Sequence, residues 1–338
     1  MATRIGINGF GRIGRQVFKA ISERHGDTLE VVAINDLVDV ETNANLLKYD
    51  SNYGPWDRDV RATDDGIAVD GRLVTVFSER DPGQIPWGSA GVEIVIESTG
   101  FFTDATKAAA HRRDSVKKVV ISAPARNEDL TVVLGVNDER YDPAAHHVIS
   151  NASCTTNGLA PVVKVLVDNF GLVKGQMTTV HSYTSSQKIL DQAGGGDPRE
   201  MRSGPLNIVP TSTGAARALR LVIPEVEGKL DGLAYRVPTP TVSIVEIVAL
   251  TEKETSKEEV NAVVAETAGE QMKGILGITD DPVVSMDLKG DERSSVVDGR
   301  STNVVGGNLV KVAAWYDNEW GYACRLSDLS AMLVERGL

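Results

Sequence analysis

The stretch Arg4-Ile5-Gly6-Ile7-Asn8-Gly9-Phe10-Gly11-Arg12-Ile13-Gly14 determines the fold predicted for the first half of the chain. An apolar run typical of a buried strand ends in G-x-G-x-x-G and passes directly into a helical pattern over residues 12–23. Gly9 permits a tight turn, Gly11 allows the backbone to approach a pyrophosphate, and Gly14 lets helix and strand pack closely. The motif in this setting predicts a dinucleotide-binding βαβ unit.

Asp36 directly follows the second predicted strand, about where such a unit contacts the adenosine ribose. A carboxylate there accepts hydrogen bonds from the ribose hydroxyls, and its charge repels a 2′-phosphate. The residue therefore favours NAD over NADP. A helix-capping Asp is the alternative interpretation, and it stays open at this point.

Short apolar runs continue to alternate with amphipathic ones as far as residue 150. Strands are predicted at 4–8, 31–35, 93–98, 118–122 and 131–136, with a further helix at 104–112. This alternation is typical of a Rossmann-type parallel sheet with helices on both faces. Thr99 and Ser122 lie in loops at the carboxyl ends of two of these strands, where cofactor contacts are expected.

After residue 153 the pattern changes to long β-rich runs at 175–181, 232–238, 242–250 and 308–316. Ser256-Lys257-Glu258-Glu259 predicts a capped helix, and residues 194–198 predict a loop. This half reads as an α+β catalytic domain with a mixed, largely antiparallel sheet. The predicted division is therefore 1–152 for an NAD-binding domain and 153–317 for a catalytic domain. The segment 318–338, which ends in a predicted helix at 327–335, is expected to return to the first domain.

The composition limits the function classes. The net charge of −12 over 338 residues argues against nucleic acid or an anionic membrane as the main partner. Two cysteines do not make a disulfide framework, and no apolar run reaches the roughly 20 residues of a membrane span. The chain enters a strand at once without a signal-peptide pattern. We expect a cytoplasmic protein, and no metal site is predicted.

Cys154 lies in Ser150-Asn151-Ala152-Ser153-Cys154-Thr155-Thr156-Asn157, where a predicted strand gives way to a helix. A thiol at a helix N-terminus faces unpaired N–H groups that favour the thiolate, and the flanking hydroxyls suit an anionic substrate. The alternative is a small buried apolar residue. Of five histidines, His181 ends an apolar strand and enters a hydroxyl-rich segment, so we predict that it is the base for Cys154. The other four are assigned surface or structural places.

Several motifs together show a resemblance that covers essentially the whole chain. The chain resembles the family of phosphorylating glyceraldehyde-3-phosphate dehydrogenases. The motifs that carry the resemblance are Asn8–Arg15, Ala152–Asn157, His181–Thr184, Ser212–Ala216, Arg236–Pro240 and Trp315–Tyr322.

The resemblance implies a role for each matching residue. Cys154 would attack the aldehyde carbon of glyceraldehyde 3-phosphate, and His181 would act as base. The residues implied to bind phosphate are Thr184 and Arg236 for the substrate's C3 phosphate, Ser153, Thr155, Thr213 and Gly214 for inorganic phosphate, and Arg202 as a further anion contact. The residues implied to bind NAD, beyond the three motif glycines, are Arg12, Ile13, Asp36, Arg80, Thr99, Ser122, Asn318 for the carboxamide and Tyr322 near the ring. A homotetramer is also implied, in which the 182–210 loop helps build neighbouring cofactor sites.

Two positions depart from the family pattern. Gly158 stands where many members have a second cysteine, so a vicinal disulfide with Cys154 is not available. Gln192-Ala193 stands where NAD-specific bacterial members usually have Leu-Pro, which leaves NADP use open. Two alternatives remain. One is erythrose-4-phosphate dehydrogenase, which the intact Thr213-Gly214 disfavours. The other is a non-catalytic binding protein on the same scaffold, which the presence of both Cys154 and His181 disfavours.

Overall fold

The computed structural model describes residues 2–194 and 196–338. Gly195, within the predicted 194–198 loop, lies outside the described residues. The chain divides into two compact units. The first comprises Met1–Val132, Glu139–Ala152 and Ala323–Leu338, and the second comprises Val133–Asp138 and Ser153–Tyr322.

The first unit is built on a largely parallel sheet. The strands of the unit are β1 (Thr3–Asn8), β2 (Leu29–Asn35), β3 (Tyr49–Asp50), β4 (Gly54–Pro55), β5 (Val60–Thr63), β6 (Gly66–Val69), β7 (Arg72–Phe77), β8 (Ile94–Glu97), β9 (Lys118–Ile121), β10 (Leu130–Thr131) and β11 (Val148–Ser150), of which β3 and β4 pair only with each other in a separate antiparallel sheet. Its first helices are α1 (Arg12–Arg24), α2 (Val40–Lys48) and the short α3 (Ala105–Ala108).

Among the described residues the large sheet has the strand order β10-β11-β9-β8-β1-β2-β7-β6-β5. Pairing is parallel from β10 to β7 and antiparallel across β7, β6 and β5. The chain moves outward from β1 in both directions, so the carboxyl end of β1 lies at a topological switch point, where open α/β sheets bind ligands. The predicted Rossmann-type fold class is confirmed.

The predicted strand at 131–136 is wrong beyond Thr131. The Asn137 side chain accepts a hydrogen bond from the Val133 amide at 2.9 Å, and that of Asp138 accepts one from the Gly135 amide at 2.8 Å. Gly135 has a φ of 77°. These local side-chain contacts turn the backbone, because they satisfy N–H groups that a strand would pair with its neighbour.

The second unit contains a mixed, largely antiparallel sheet, as predicted. Its elements are α4 (Cys154–Phe170), β12 (Leu172–Ser182), β13 (Val209–Ser212), α5 (Ala215–Val222), β14 (Leu230–Val237), β15 (Ser243–Thr251), α6 (Lys257–Gly269), β16 (Leu276–Thr279), β17 (Ser295–Asp298), β18 (Asn303–Val305) and β19 (Leu309–Tyr316). The strand order is β13-β14-β12-β15-β19-β17-β16, with β18 paired to β19. Only the β12–β14 and β16–β17 pairs are parallel within the described residues.

Two helix predictions are informative. Ser256 caps α6 as its sequence indicates, since its hydroxyl accepts a hydrogen bond from the Glu259 amide at 3.2 Å. The last helix, α7 (Trp320–Arg336), begins seven residues before the predicted 327–335 segment. Within the first unit, Asp328 of α7 bonds Arg24 at 3.1 Å and His25 at 2.7 Å. No helix in the described part of the chain has the length and apolar character needed to span a membrane.

Candidate active site

The glycine motif opens onto a cavity of about 570 Å³ in the first unit. Gly9 has a φ of 88°, and a Cβ there would lie 2.7 Å from the backbone nitrogen of Thr99. A Cβ on Gly14 would lie 2.2 Å from the Gly9 oxygen, so both positions require glycine. The cavity is lined by Asn8, Gly9, Gly11, Asn35, Asp36, Leu37, Glu79, Arg80, Ser98, Thr99, Phe101 and Phe102.

Gly11 precedes α1 and provides no side-chain cap, and a Cβ there would meet nothing within 4 Å. The first turn of α1, which begins at Arg12 and Ile13, therefore presents a helix N-terminus of the kind that favours an anion. The Arg12 guanidinium itself is paired with Asp50 at 2.5 Å. Arg12, Ile13, Gly14 and Ser122 do not line the cavity, whereas the other NAD contacts predicted in residues 1–152 do.

Asp36 is held at the rim of this cavity by two backbone donors. Its Oδ2 accepts a hydrogen bond from the Phe10 amide at 2.7 Å, and its Oδ1 accepts one from the Val38 amide at 3.0 Å. The cap of α2 is a different residue, Asp39, which accepts a hydrogen bond from the Thr42 amide at 2.8 Å. Asp36 is thus fixed in place with lone pairs left for further donors.

A buried carboxylate that sequence reasoning missed holds two of the residues that line the cavity. Glu97 is 2% exposed, and its Oε1 accepts hydrogen bonds from the amide and the hydroxyl of Thr99 at 2.9 and 2.5 Å. Its Oε2 meets Asn8 Nδ2 at 2.5 Å and His111 Nε2 at 3.0 Å. Trp87 donates to His111 Nδ1 at 3.0 Å, so Nε2 carries the proton of a neutral ring and donates to Glu97.

In the second unit, Cys154 is the first residue of α4. Ser153 caps the helix, accepting a hydrogen bond from the Thr156 amide at 3.0 Å. His181 lies at the end of β12, and its Nε2 is 3.4 Å from the Cys154 sulfur. The structure therefore brings together the two residues that were predicted to act as nucleophile and base.

Both groups are shifted toward their neutral forms. Cys154 is half-buried as a residue, yet desolvation raises the pKa of its thiol, and the Arg236 charge and Thr155 oppose this more weakly. Burial, with the Arg236 charge second, lowers the pKa of His181 to about 3. The helix N-terminus was expected to favour the thiolate. In the folded protein, the loss of hydration outweighs that local effect.

Arg236 on β14 is the in-register neighbour of His181 in the parallel β12–β14 pair. Its Nη1 lies 2.5 Å from His181 Nδ1 and 3.1 Å from the Ser182 oxygen. His181 Nδ1 also lies 2.7 Å from that oxygen. The Arg236 Nε is buried without a hydrogen-bond partner among the described residues. A guanidinium with an unsatisfied donor beside the thiol suits an anionic ligand.

Tyr316 lies in the Trp315–Tyr322 motif, and the resemblance implies no role for it. Its hydroxyl is 2.9 Å from Thr155 Oγ1 and 2.8 Å from Thr179 Oγ1, and its ring packs edge-on against His181. Burial raises the pKa of Tyr316 above its usual range. The residue therefore ties the first turn of α4 to β12 as a neutral phenol.

The remaining predicted residues have the following contacts. Asn318 Oδ1 accepts a hydrogen bond from Ser243 at 2.9 Å, and Tyr322 is buried, which raises its pKa. Thr213 Oγ1 accepts one from Ala215, and Gly214 precedes α5 without a side-chain cap.

Thr184 and Arg202 are engaged locally. Thr184 Oγ1 donates to Gln187 at 3.1 Å, and the exposed Arg202 pairs with Asp191 at 2.6 Å. Among the described residues, no hydrogen bond joins Thr184, Arg202 or Thr213 to Cys154 or His181.

Comparisons with known proteins agree over the whole chain. Residues 3–105 match the family model "Glyceraldehyde 3-phosphate dehydrogenase, NAD binding domain", and residues 153–318 match the corresponding C-terminal domain model. The chain is 54% identical to glyceraldehyde-3-phosphate dehydrogenase of Geobacillus stearothermophilus and 53% identical to glyceraldehyde-3-phosphate dehydrogenase 1 of Bacillus subtilis, with all of each chain covered. It is 53% identical to the Streptomyces coelicolor enzyme, covering 98% of this chain and 99% of that one. The chain belongs to the glyceraldehyde-3-phosphate dehydrogenase family.

Proposed function

We propose that the protein is an NAD-dependent oxidoreductase that converts glyceraldehyde 3-phosphate and inorganic phosphate to 1,3-bisphosphoglycerate. The observation that carries the proposal is the 3.4 Å approach of the Cys154 sulfur to His181 Nε2, in a chain over half identical to dehydrogenases of that name. The thiol and imidazole are the pair that aldehyde oxidation through a thioester requires.

Cys154 supplies the nucleophile. Its sulfur bonds to the aldehyde carbon, and the thiol proton passes through His181 Nε2 to the carbonyl oxygen, giving a hemithioacetal and leaving His181 neutral again. His181 then takes the hemithioacetal hydroxyl proton as the carbon loses hydride, leaving a thioester on Cys154. NAD, when bound, accepts that hydride. The low pKa of His181, about 3, keeps its ring unprotonated at neutral pH and able to act as a base.

Two sets of residues bind phosphate in this proposal. Arg236, with its unsatisfied Nε, and Thr184 bind the C3 phosphate of the substrate. The attacking inorganic phosphate is bound by Ser153, Thr155, Thr213 and Gly214, which lie at the starts of α4 and α5, where free amides favour anions. Arg202 is a further anion contact, provided that its exposed pair with Asp191 opens.

The NAD contacts fall into two groups. Asp36, Thr99 and Arg80 bind the adenosine end, and the first turn of α1, with Arg12 and Ile13, binds the pyrophosphate. Ser122, which follows β9, is a further NAD contact in this proposal. Asn318 binds the carboxamide, with Tyr322 near the ring. Asp36 supports NAD as the preferred dinucleotide, and Gln192-Ala193 supports some NADP use.

The same proposal covers organisation and location. Residues 1–152 with 318–338 form the NAD-binding domain, and 153–317 form the catalytic domain. A cytoplasmic homotetramer is proposed, with neither cysteine in a disulfide. Four apolar side chains exposed on the 182–210 loop support burial against another copy, and they are Ile189, Leu190, Leu206 and Ile208.

Steady-state NAD reduction with glyceraldehyde 3-phosphate tests the proposal. We expect turnover that depends on inorganic phosphate, because the thioester needs phosphate to form the acyl phosphate. Erythrose-4-phosphate dehydrogenase, which the comparisons do not favour, would release a free acid and turn over without phosphate. No NAD reduction with either sugar phosphate would contradict the assignment.

A further inference from the structure

Val242 has an unusual backbone conformation for its residue type. It is 2% exposed and has a φ of 63°, immediately before β15. A β-branched residue in the left-handed region is a strained outlier that persists only where its surroundings enforce it. The Val242 oxygen accepts a hydrogen bond from the Ser182 hydroxyl at 2.8 Å, which links this strained residue to the end of β12.

The residue before Val242 fixes the backbone beside Asn318. Thr241 donates to Asp317 Oδ1 at 3.1 Å, and the same oxygen accepts the Trp320 amide at 2.9 Å. Asp317 Oδ2 accepts the Gly290 amide at 2.9 Å. Because several donors hold this carboxylate, the main chain that leads into Asn318 is held in one place.

The residue after Val242 fixes the Asn318 side chain. Ser243 Oγ accepts the Ser182 amide at 3.0 Å and donates to Asn318 Oδ1 at 2.9 Å. Ser243 is 1% and Asn318 4% exposed. A hydroxyl has a single proton, and here that proton goes to the Asn318 oxygen. The Asn318 Nδ2 receives no hydrogen-bond partner from the described residues.

We infer that Ser243 is a positioning residue that orients the Asn318 amide so that its NH₂ group faces the ligand. This inference rests on the proposed function. The cofactor end bound by Asn318 is then recognised by an acceptor, the carbonyl oxygen of a pyridine 3-carboxamide. Asn318 does not recognise the carboxamide NH₂ group.

The alternative orientation explains why a dedicated residue is needed. An Asn side chain can rotate by half a turn, which exchanges a donor for an acceptor at the same point. Rotation would place the Asn318 oxygen against the ligand oxygen and leave two acceptors facing each other. It would also leave the buried Ser243 proton without its acceptor, which is costly in a site closed to water.

Equilibrium binding tests this inference without turnover. Isothermal titration calorimetry would give dissociation constants for NAD, for its 3-acetylpyridine analogue, which keeps the carbonyl oxygen but has methyl in place of NH₂, and for ADP-ribose, which lacks the pyridine. The wild-type protein should bind the analogue within about threefold of NAD, since less than one neutral hydrogen bond is lost.

Ser243→Ala should weaken both NAD and the analogue by about tenfold, the equivalent of one neutral hydrogen bond, and leave ADP-ribose unchanged. Ser243→Thr keeps the hydroxyl and should restore NAD affinity. Asn318→Asp offers only acceptors and should weaken NAD and the analogue more than Ser243→Ala does. Ser330→Ala is the matched control, because it removes another fully buried serine hydroxyl, one that bonds only a helix carbonyl.

Two results would overturn the inference. One is an NAD affinity that is unchanged in Ser243→Ala. The other is a wild-type protein that binds the analogue more than about thirtyfold more weakly than NAD, because Asn318 would then recognise the carboxamide NH₂. The wild-type measurement stands even if the Ser243 variants fail to fold. A wild-type protein that binds neither NAD nor ADP-ribose would instead contradict the proposed function.

Discussion

Arg236 and His181 share a contact that sets the state of the imidazole: Nη1 of the guanidinium lies 2.5 Å from Nδ1 of the ring. The same Nδ1 faces the Ser182 oxygen at 2.7 Å. If Arg236 donates to Nδ1, the ring proton is on Nε2, toward Cys154. If Nδ1 donates to Ser182, Nε2 has a lone pair that can take the thiol proton. An anion that draws Arg236 away favours the second arrangement.

His181 should make the protein less stable in acid. Its pKa falls from 6.5 to about 3 on folding, chiefly through burial. Between those values the unfolded chain binds a proton that the folded protein excludes, so stability decreases as the pH falls through this window. The loss is up to about 1.4 kcal/mol per pH unit. His181→Asn should flatten the dependence of the unfolding free energy between pH 6.5 and 4.5, measured by denaturant titration at one protein concentration. Parallel curves for the two proteins would count against the buried neutral imidazole.

Cys154→Ser should abolish NAD reduction and leave NAD binding largely intact, because a serine hydroxyl is a far weaker nucleophile than a thiolate. Calorimetric NAD binding beside the turnover assay separates these effects. Cys324→Ser, at the fully buried second thiol, is the control and should retain turnover. Residual activity in Cys154→Ser near the wild-type value would exclude Cys154 as the nucleophile.

His181→Asn should slow alkylation of Cys154 by iodoacetamide at pH 7. The variant loses the nitrogen 3.4 Å from the sulfur that takes up the thiol proton. At a pH below the thiol pKa, a rise of one unit in that pKa lowers the thiolate fraction about tenfold. We therefore expect the alkylation rate to drop roughly tenfold. Rates from pH 6 to 9 would show the shift. Unchanged rates across that range would contradict the pairing.

Gly158→Ala should destabilise the protein although it adds a good helix former. A Cβ at this position would lie 3.0 Å from Tyr316 Cγ, and Thr155 and Thr179 hold that phenol in place. Overpacking of about 1–3 kcal/mol then exceeds a helix-propensity gain of about 1 kcal/mol. Gly269→Ala at the end of α6 is the control, because its Cβ meets nothing within 4 Å. Thermal unfolding should give Gly158→Ala a lower stability than the wild type. Equal or higher stability would show that Tyr316 moves to make room for the added methyl group.

Glu97→Gln should weaken NAD binding by about tenfold, since the charged acceptor of the Thr99 donors is lost. Glu93→Gln is a suitable control, because that carboxylate is more exposed and pairs with Lys117 at the other end of β8. Calorimetry with NAD measures both. Equal NAD affinities for the two variants would show that Glu97 does not contribute to NAD binding.

Asp36 should dominate cofactor choice. Two backbone amides hold its carboxylate in place, so it cannot easily swing away from a 2′-phosphate. We expect kcat/KM for NAD to exceed that for NADP by at least about tenfold, which is roughly 1.4 kcal/mol. Asp36→Gly should relax this preference more than the Gln192→Leu, Ala193→Pro double variant tightens it. A wild-type protein equally efficient with both cofactors would show that the loop outweighs Asp36.

Local sequence signals predicted the features that depend on neighbouring residues. The glycine motif after β1, the Ser256 cap and the end of β12 at His181 all follow from residues within a few positions of one another. The strand predicted at 131–136 is wrong for an equally local reason, because the side chains of Asn137 and Asp138 bond nearby amides and form a turn.

The rest depends on residues far apart in the chain. Tyr316 meets Thr155 across 161 positions, and Glu97 meets Asn8 across 89. No periodicity encodes such pairs. The shift of Cys154 toward the thiol is a further example, since the helix N-terminus is readable from sequence but the desolvation that outweighs it comes from the folded surroundings.

The glycine at position 158 also determines how the protein recovers from damage. A sulfenic acid on Cys154 has no second thiol on its own helix, and Cys324 is sealed from solvent. Repair then takes two small thiols from outside: the first displaces water to form a mixed disulfide, and the second releases Cys154 with a small-molecule disulfide. The speed at which activity returns after a peroxide pulse is therefore set by the surroundings. In a living cell, the activity of this protein after oxidation would therefore follow the concentration of reduced small thiols around it.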